Sequence, residues 1–166
     1  MKWVLIVLGM LVILLAVAAL VGAMTPQDHH ATRKARYRAT PEALYVVIAG
    51  APDWRTGVKS YGHIADGKWW EEDTHGQKVA YELVEDSPPA RRVIRIADKG
   101  LPFGGTWTFE IAPAAGGSDL RIREDGEIYN VIFRFMARFF FGYTSTIETY
   151  LRDLGAKFGQ AVEIEG

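Results

Sequence analysis

The longest uninterrupted apolar stretch in the chain runs from Trp3 to Ala23 and constrains the fold more than any other feature. It contains no Asp, Glu, Lys, Arg or His and has only two glycines. A helix over this stretch would be roughly 31 Å long, which matches the hydrocarbon core of a bilayer. We therefore predict a transmembrane anchor over residues 1–24.

A cleaved signal peptide is the alternative interpretation of the same stretch. The small residues of Val21-Gly22-Ala23 offer a candidate cleavage site. Signal peptides usually have an apolar core of about 7–15 residues, which is shorter than this one. We therefore favour a retained anchor. An ion path or a proton relay would need ionisable side chains within the span, and this span has none, so we interpret the anchor as a tether. Ala18 and Gly22, like Ala19 and Ala23, have the spacing at which helices can pair, although such spacings are common.

The charges that flank the apolar stretch favour a cytoplasmic position for the rest of the chain. Lys2 precedes the stretch, and four basic residues follow it: Arg33, Lys34, Arg36 and Arg38. The positive-inside rule then places the soluble part in the cytoplasm. Because the four residues also fall in a predicted strand, their number reflects the folded domain as well as the topology. The side of the membrane is therefore left open.

The composition excludes several classes of function. The 19 Lys and Arg residues nearly balance the 20 Asp and Glu residues, for a net charge of −1. A nucleic-acid-binding protein needs a basic surplus to neutralise phosphates, so we predict no nucleic-acid partner. The chain has no cysteine, which excludes disulfides, thiolate zinc sites, iron–sulfur clusters and cysteine nucleophiles.

One domain is expected over residues 31–160, after a connector at 25–30 and before a tail at 161–166. No Gly/Ser-rich or Pro-rich linker and no internal repeat divides this part of the sequence. Turn signals rich in Gly, Asp and Pro separate short segments, a pattern that predicts an antiparallel meander. The predicted strands are Ala31–Ala39, Val58–Ile64, Lys68–Asp73, Lys78–Glu85, Arg91–Ala97, Gly104–Ile111 and Ser118–Glu124.

Two helices are predicted, one on each side of the last six strands. Thr40-Pro41-Glu42 supplies an N-cap, a proline at the first helical position and an acid in the first turn, which predicts a short helix to about Ile48. Near the C-terminus, apolar residues recur at steps of three and four over residues 143–158, the period of an amphipathic helix. Such a helix must bury its apolar stripe on the sheet. The stripe consists of Tyr143, Ile147, Tyr150, Leu151, Leu154 and Phe158.

Several short motifs occur in a characteristic order along this domain. They are Thr40-Pro41-Glu42-Ala43-Leu44, Asp53-Trp54, Ser87-Pro88-Pro89-Ala90-Arg91, Gly104-Gly105-Thr106-Trp107 and Leu151-Arg152-Asp153-Leu154. With the order of elements, they resemble the START-like, helix-grip superfamily (SRPBCC) of polyketide cyclase/dehydrase and lipid-transport type, over Ala31–Gly159. The resemblance implies an α+β fold in which a curved seven-stranded antiparallel sheet wraps around the C-terminal helix, with an apolar cavity between them. It transfers no catalytic motif, so the catalytic residues are left unknown.

No constellation of residues in the sequence indicates a metal or cofactor site. The histidines are His29, His30, His63 and His75, and none has H-x-x-x-H or H-E-x-x-H spacing. We expect solvated histidines, with the first two in the connector, no metal and no cofactor. Glu71-Glu72-Asp73 could supply a general acid or base, but a run of charges at a strand end is usually a solvated edge.

The aromatic residues of the sheet and of the long helix are the best candidates for a ligand site. Apolar ligand cavities are lined by aromatic side chains and a few polar groups. If the strands alternate as predicted, Tyr81, Trp107 and Phe109 face the cavity from the sheet, and Tyr150 and Leu154 face it from the helix. The two tyrosine hydroxyls could each orient a ligand. The alternative is that these residues belong to an ordinary core.

The segment Val131–Phe141 is rich in aromatic residues. Its only polar side chains are Arg134 and Arg138, four positions apart on one helical face. An amphipathic helix of this kind can lie at a lipid surface with its arginines near phosphates. We predict membrane contacts for Arg134, Phe135, Arg138 and Phe139. A buried helix with two surface arginines is the alternative.

These features together favour a membrane-tethered START-like domain that binds or transfers a hydrophobic small molecule, such as a lipid, an isoprenoid or an aromatic metabolite. The membrane contact is expected through residues 3–23. A polyketide cyclase/dehydratase-like enzyme is an alternative, and a non-catalytic interaction module of a membrane complex is another. We favour the carrier over the enzyme. The interaction module would have a filled core and an exposed apolar patch.

Overall fold

The structure of the protein is a computed structural model that describes residues 2–166. It begins with helix α1, Lys2–Met24, whose side chains are exposed along most of its length. This helix is long and apolar enough to cross a bilayer, a criterion that a signal sequence near the N-terminus can also meet. Only Thr25-Pro26-Gln27 separates α1 from the first strand, β1, at Asp28–Tyr37.

Eight antiparallel strands form one sheet in the order β2-β3-β4-β5-β6-β7-β1-β8. Strands β2 to β7 follow one another as a meander, and β1 joins the far side by pairing with β7. The strands after β1 are β2 Val58–Ala65, β3 Lys68–Asp73, β4 Lys78–Ser87, β5 Arg91–Ile96, β6 Phe103–Ala114, β7 Gly117–Ile128 and β8 Ile164–Glu165.

Two boundaries of the sheet correct the sequence-based expectation. The expected seven strands become eight, because Ile164 and Glu165 pair with β1, so the segment 161–166 is not a free tail. Strand β1 begins at Asp28, so His29 and His30 lie in the sheet and not in a connector. In each case pairing with a neighbouring strand extends the sheet beyond what the local sequence indicates.

The helix α2 (Pro41–Ala49) begins as the capping signal predicts. The Thr40 hydroxyl accepts a hydrogen bond from the Ala43 backbone N–H, and Pro41 occupies the first turn. The C-terminal helix α4 covers Ser145–Lys157, slightly less than the predicted 143–158.

The core lies between α4, α2 and the part of the sheet around β1, β6 and β7. The α4 residues Ile147, Leu151 and Leu154 are fully buried, as their helical spacing predicts. The Tyr37 hydroxyl of β1 donates a hydrogen bond to the Leu151 carbonyl at 2.9 Å. This contact holds the second half of α4 directly on the sheet.

A short helical segment connects β7 to α4. The helix α3 (Val131–Met136) begins at Asn130, whose side-chain oxygen accepts the backbone N–H groups of the next turn. It continues into a π-helical turn, Ala137–Phe141, which ends at Gly142 with a positive φ of 73°. We call Val131–Phe141 the aromatic segment.

Candidate ligand cavity

A cavity of about 1260 Å³ opens among the sheet, the end of α2, the aromatic segment and the start of α4. It exceeds the roughly 300–1,000 Å³ that is usual for small-molecule pockets. Its walls are mainly apolar and include the aromatic side chains of Trp54, Trp69, Phe103, Phe133, Phe141 and Tyr143. The cavity therefore has the size and the lining of a site for a large hydrophobic molecule.

Most of the residues that the sequence singles out for the cavity lie on its walls. Tyr81, Trp107, Phe109 and Tyr150 all line it. The Tyr150 ring packs against those of Trp107 and Phe109, with centroids 5.9 and 5.4 Å apart. Leu154 does not line the cavity but is fully buried in the closed core, because α4 is held against β1 from about Leu151 onward.

A buried ion pair lies in the cavity wall. Arg55, in the turn before β2, places its Nη1 atom 2.6 Å from the Oε2 atom of Glu71 on β3. The Trp69 indole N–H donates a hydrogen bond to the other carboxylate oxygen at 3.0 Å. The Arg55 guanidinium carbon also lies 5.1 Å from the centroid of the Tyr150 ring. The Glu71 carboxylate is thus held on both oxygens, and the arginine is oriented by charge and by an aromatic face.

The Glu71 carboxylate keeps the Arg55 guanidinium charged in spite of its burial. Burial by itself lowers the pKa of the Arg55 guanidinium, but the neighbouring Glu71 carboxylate raises it above its ordinary value. The arginine therefore remains charged, and the pair presents almost no net charge to the cavity. Removing either member of the pair would leave an uncompensated buried charge, which destabilises the folded state.

The expected solvated edge at Glu71-Glu72-Asp73 is wrong for its first member. Glu71 is only 8% exposed, because β3 lies between β2 and β4 and turns this side chain toward the cavity. Strand alternation in the sequence could have indicated this burial. Residues two apart share a face of a strand, so Glu71 lies on the same side as the aromatic residue Trp69. Glu72 on the other face pairs with the surface residues Lys59 and Lys78.

Two buried tyrosines of the cavity, Tyr81 and Tyr150, keep their hydroxyl protons at neutral pH. Burial, with a smaller contribution from the Glu71 charge, raises the pKa of Tyr81 to about 12. Burial also raises the pKa of Tyr150. Within residues 2–166, the tyrosine hydroxyls that bond to protein groups are those of Tyr37, Tyr45 and Tyr129. The hydroxyls of Tyr81 and Tyr150 are therefore open to a ligand.

Alkaline pH is expected to destabilise the protein through Tyr81. Because its folded-state pKa is about 12, the folded state keeps a proton that an unfolded tyrosine loses near pH 10. The contribution of Tyr81 to stability is complete below about pH 10 and is lost as the pH rises toward about 12. Thermal melts should show a shallower alkaline fall in Tyr81→Phe than in the wild type. An unaltered profile in Tyr81→Phe would contradict this assignment.

A second polar group lies near the aromatic segment, and the sequence analysis missed it. His29 was expected to be solvated, but its side chain is only 11% exposed, lines the cavity and stacks on Tyr143 with ring centroids 4.4 Å apart. Its Nε2 atom lies 3.7 Å from Glu124, and its Nδ1 atom is buried without a partner in the described chain. Gly126, the cross-strand neighbour, leaves the space, since a Cβ there would lie 2.3 Å from the imidazole.

The predicted membrane-contact residues divide into two groups. Phe139 and Arg138 are exposed, whereas Phe135 is half-buried and packs beside Phe139 with ring centroids 5.1 Å apart. The Arg134 guanidinium donates hydrogen bonds of 3.2 Å to the carbonyls of Thr25 and Tyr129. Arg134 therefore joins the aromatic segment to the end of α1 through two of its five N–H donors.

Several solved structures are similar to this fold at low sequence identity. A conserved protein from Geobacillus kaustophilus gives a TM-score of 0.65 at 12% identity, over 82% of this chain and 100% of that chain. Norcoclaurine synthase from Thalictrum flavum gives 0.59 at 9% identity, over 80% and 87%. The di-domain ARO/CYC StfQ from the steffimycin biosynthetic pathway gives 0.60 at 14% identity, over 78% of this chain and 50% of that chain.

No family model and no curated protein matches the chain. The similarity to solved structures is therefore a similarity of fold, and it does not extend to an activity. Norcoclaurine synthase and the ARO/CYC cyclase are helix-grip proteins, which agrees with the resemblance in the sequence. The part of the chain after α1 has the helix-grip fold, an antiparallel sheet that holds a C-terminal helix.

Proposed function

We propose that the chain is a membrane-tethered domain that binds or transfers a hydrophobic small molecule. The observation that carries the proposal is the cavity of about 1260 Å³, whose walls are mainly apolar and include many aromatic side chains. A closed core would bury these side chains against one another, as proteins normally pack. An open cavity with mainly apolar walls is the usual arrangement for a bound apolar ligand.

The polar groups in the cavity favour a ligand with a neutral polar end. The cationic side chains of the cavity wall are already paired, Arg55 with Glu71, Arg92 with Asp86, and both Arg95 and Lys68 with Glu82. A ligand carboxylate would therefore add an uncompensated charge to a mainly apolar site. The free hydroxyls of Tyr81 and Tyr150 can donate to a carbonyl or accept from a hydroxyl. A lipid, an isoprenoid or an aromatic metabolite with one such group fits this description.

The direct test is to identify what the protein carries. The full-length chain would be purified in lipid nanodiscs, so that no detergent competes for the cavity, and any bound molecule extracted and weighed by mass spectrometry. We expect an apolar molecule of defined mass that is absent from empty nanodiscs. The intact mass of 18.5 kDa also shows whether the apolar stretch is retained, because signal-peptide cleavage after Ala23 would remove it.

Removing the two free hydroxyls should weaken the retention of that ligand without unfolding the protein. If each hydrogen bond contributes about 1 kcal/mol, the double variant Tyr81→Phe/Tyr150→Phe should bind roughly 30-fold more weakly. Tyr129→Phe is the matched control, since its hydroxyl bonds to Glu127 and not to the cavity. Equal ligand occupancy in all three proteins would argue against a head-group role for these tyrosines.

A cyclase- or dehydratase-like enzyme is the second candidate, and one observation favours it. His29 and Glu124 place an imidazole and a carboxylate within 3.7 Å of each other at the cavity wall, an arrangement suited to proton transfer. An enzyme should convert the extracted ligand into a product that differs in mass after dehydration or in chromatographic retention after cyclisation, and Glu124→Gln should abolish this conversion while binding remains. A carrier should return the ligand unchanged.

A non-catalytic interaction module receives less support. That function predicts a filled core and an exposed apolar patch; the exposed phenylalanines of the aromatic segment form such a patch, whereas the core contains an open cavity. If the purified protein is well folded and carries no ligand, the interaction module becomes the better candidate, and crosslinking in native membranes would identify its partners.

A further inference from the structure

Helix α1 packs against the domain and is not a loosely attached tether. Ala18 and Gly22 are its two buried residues. A Cβ atom at Gly22 would lie 1.9 Å from the Val131 carbonyl oxygen of α3, so only a glycine allows the two helices to approach this closely. The Arg134 hydrogen bond to the Thr25 carbonyl joins the same two elements just beyond the end of α1.

The position of this contact along α1 defines a depth in the bilayer. Ala18 lies six residues before the end of the helix at Met24, a distance of roughly 9 Å at the rise of an α-helix. If α1 spans a hydrocarbon core of about 30 Å, this contact lies within the last part of the span. The aromatic segment is therefore held at the level where the acyl chains meet the headgroups.

The outer surface of the aromatic segment suits that position. Phe139 and Phe140 are 58% and 67% exposed, which is unusual for adjacent large apolar side chains in contact with water. Arg138 beside them is exposed and forms no salt bridge within residues 2–166. Exposed aromatic rings next to a cation are characteristic of a surface that lies in the interface of a bilayer.

The inner surface of the same segment lines the cavity. Ile132, Met136 and Ala137 contribute to the cavity wall, together with Phe133 and Phe141. A single layer of helix therefore separates the cavity from the exposed phenylalanines.

We propose, on the basis of the proposed membrane tether, that the aromatic segment is seated in the bilayer interface by the packing of α1 on α3. The occupant of the exposed phenylalanine surface is lipid. The cavity is thereby fixed against the membrane, with the aromatic segment as the wall between the ligand site and the lipid.

The absence of cysteine allows a direct test in the full-length protein. Single variants Phe140→Cys, Leu20→Cys and Val46→Cys would carry an environment-sensitive fluorophore in phosphatidylcholine/phosphatidylglycerol vesicles that contain nitroxide lipids. We expect the label at Phe140 to be quenched as strongly as the label at Leu20 in α1. The label at Val46, an exposed residue of α2, should be quenched severalfold less.

A second pair of variants tests whether α1 sets the position. Gly22→Leu in the Phe140→Cys background should displace α3 and reduce the quenching at Phe140 toward the value at Val46. Gly9→Leu is the matched control, because nothing lies within 4 Å of a Cβ there, and it should leave the quenching unchanged. Circular dichroism would establish that both variants remain folded.

The outcomes distinguish this inference from the tether on which it rests. Weak quenching at Phe140 with strong quenching at Leu20 would overturn the inference and leave the anchor intact. Weak quenching at both positions would overturn the anchor and the inference together. Equal effects of Gly22→Leu and Gly9→Leu would show that helix packing does not set the position. None of these results depends on the identity of the ligand.

Discussion

Replacing Glu71 with leucine is expected to lower the free energy of unfolding by about 3 kcal/mol, because it leaves the Arg55 charge buried without its partner. The two side chains are mostly buried and 2.6 Å apart. For a domain of this size, such a loss corresponds to a melting temperature lower by roughly 10 °C, which circular dichroism of the full-length protein would measure.

A double variant separates the effect of the unpaired Arg55 charge from the effect of lost packing. Arg55→Met/Glu71→Leu removes both charges and should recover most of the stability. Glu72→Leu is the matched control on the same strand; its surface pairs with Lys59 and Lys78 should contribute less than about 1 kcal/mol. A double variant as unstable as the single one would show that the ion pair is not the cause.

Replacing Leu154 with alanine is expected to cost about 3 kcal/mol of stability, through lost burial and the space left in the core. Leu154 is fully buried and lies outside the ligand cavity. The variant should therefore melt roughly 10 °C lower, while ligand occupancy per folded molecule stays unchanged.

Lys157→Ala, at an exposed position on the same helix, serves as the control and should change the melting temperature little. A comparably small loss in Leu154→Ala would mean that the sheet does not hold α4 as described. Loss of ligand from the folded fraction would instead mean that Leu154 belongs to the site.

Much of the fold follows from local patterns of residues in the sequence. The helix-capping signal at Thr40-Pro41 predicts α2, and the three-and-four spacing of Ile147, Leu151 and Leu154 predicts the buried face of α4. Strand β3 has the predicted bounds, Lys68–Asp73. These predictions succeed because periodicity and turn chemistry act over a few residues.

The candidate site could be predicted only in part. Alternation along β4 and β6 indicates that Tyr81, Trp107 and Phe109 share the cavity, where they are found. The ion pair in the cavity wall could not be predicted in this way. Arg55 contacts Glu71 from a turn outside the sheet, so strand pairing does not specify this contact. Charged residues in an acidic run are usually exposed. Only the positions of the neighbouring strands show that Glu71 is buried.

The sequence by itself determined the apolar helix at the N-terminus, the antiparallel meander and the amphipathic C-terminal helix, since each depends on the order of nearby residues. Only the tertiary structure decided that Glu71 is buried, that the His29 side chain lines the cavity, that Leu154 lies in the closed core and not on the cavity wall, and that α1 packs on α3. Each of these depends on which distant residues come together. Strand register and helix packing set those distances, and they are properties of the whole chain.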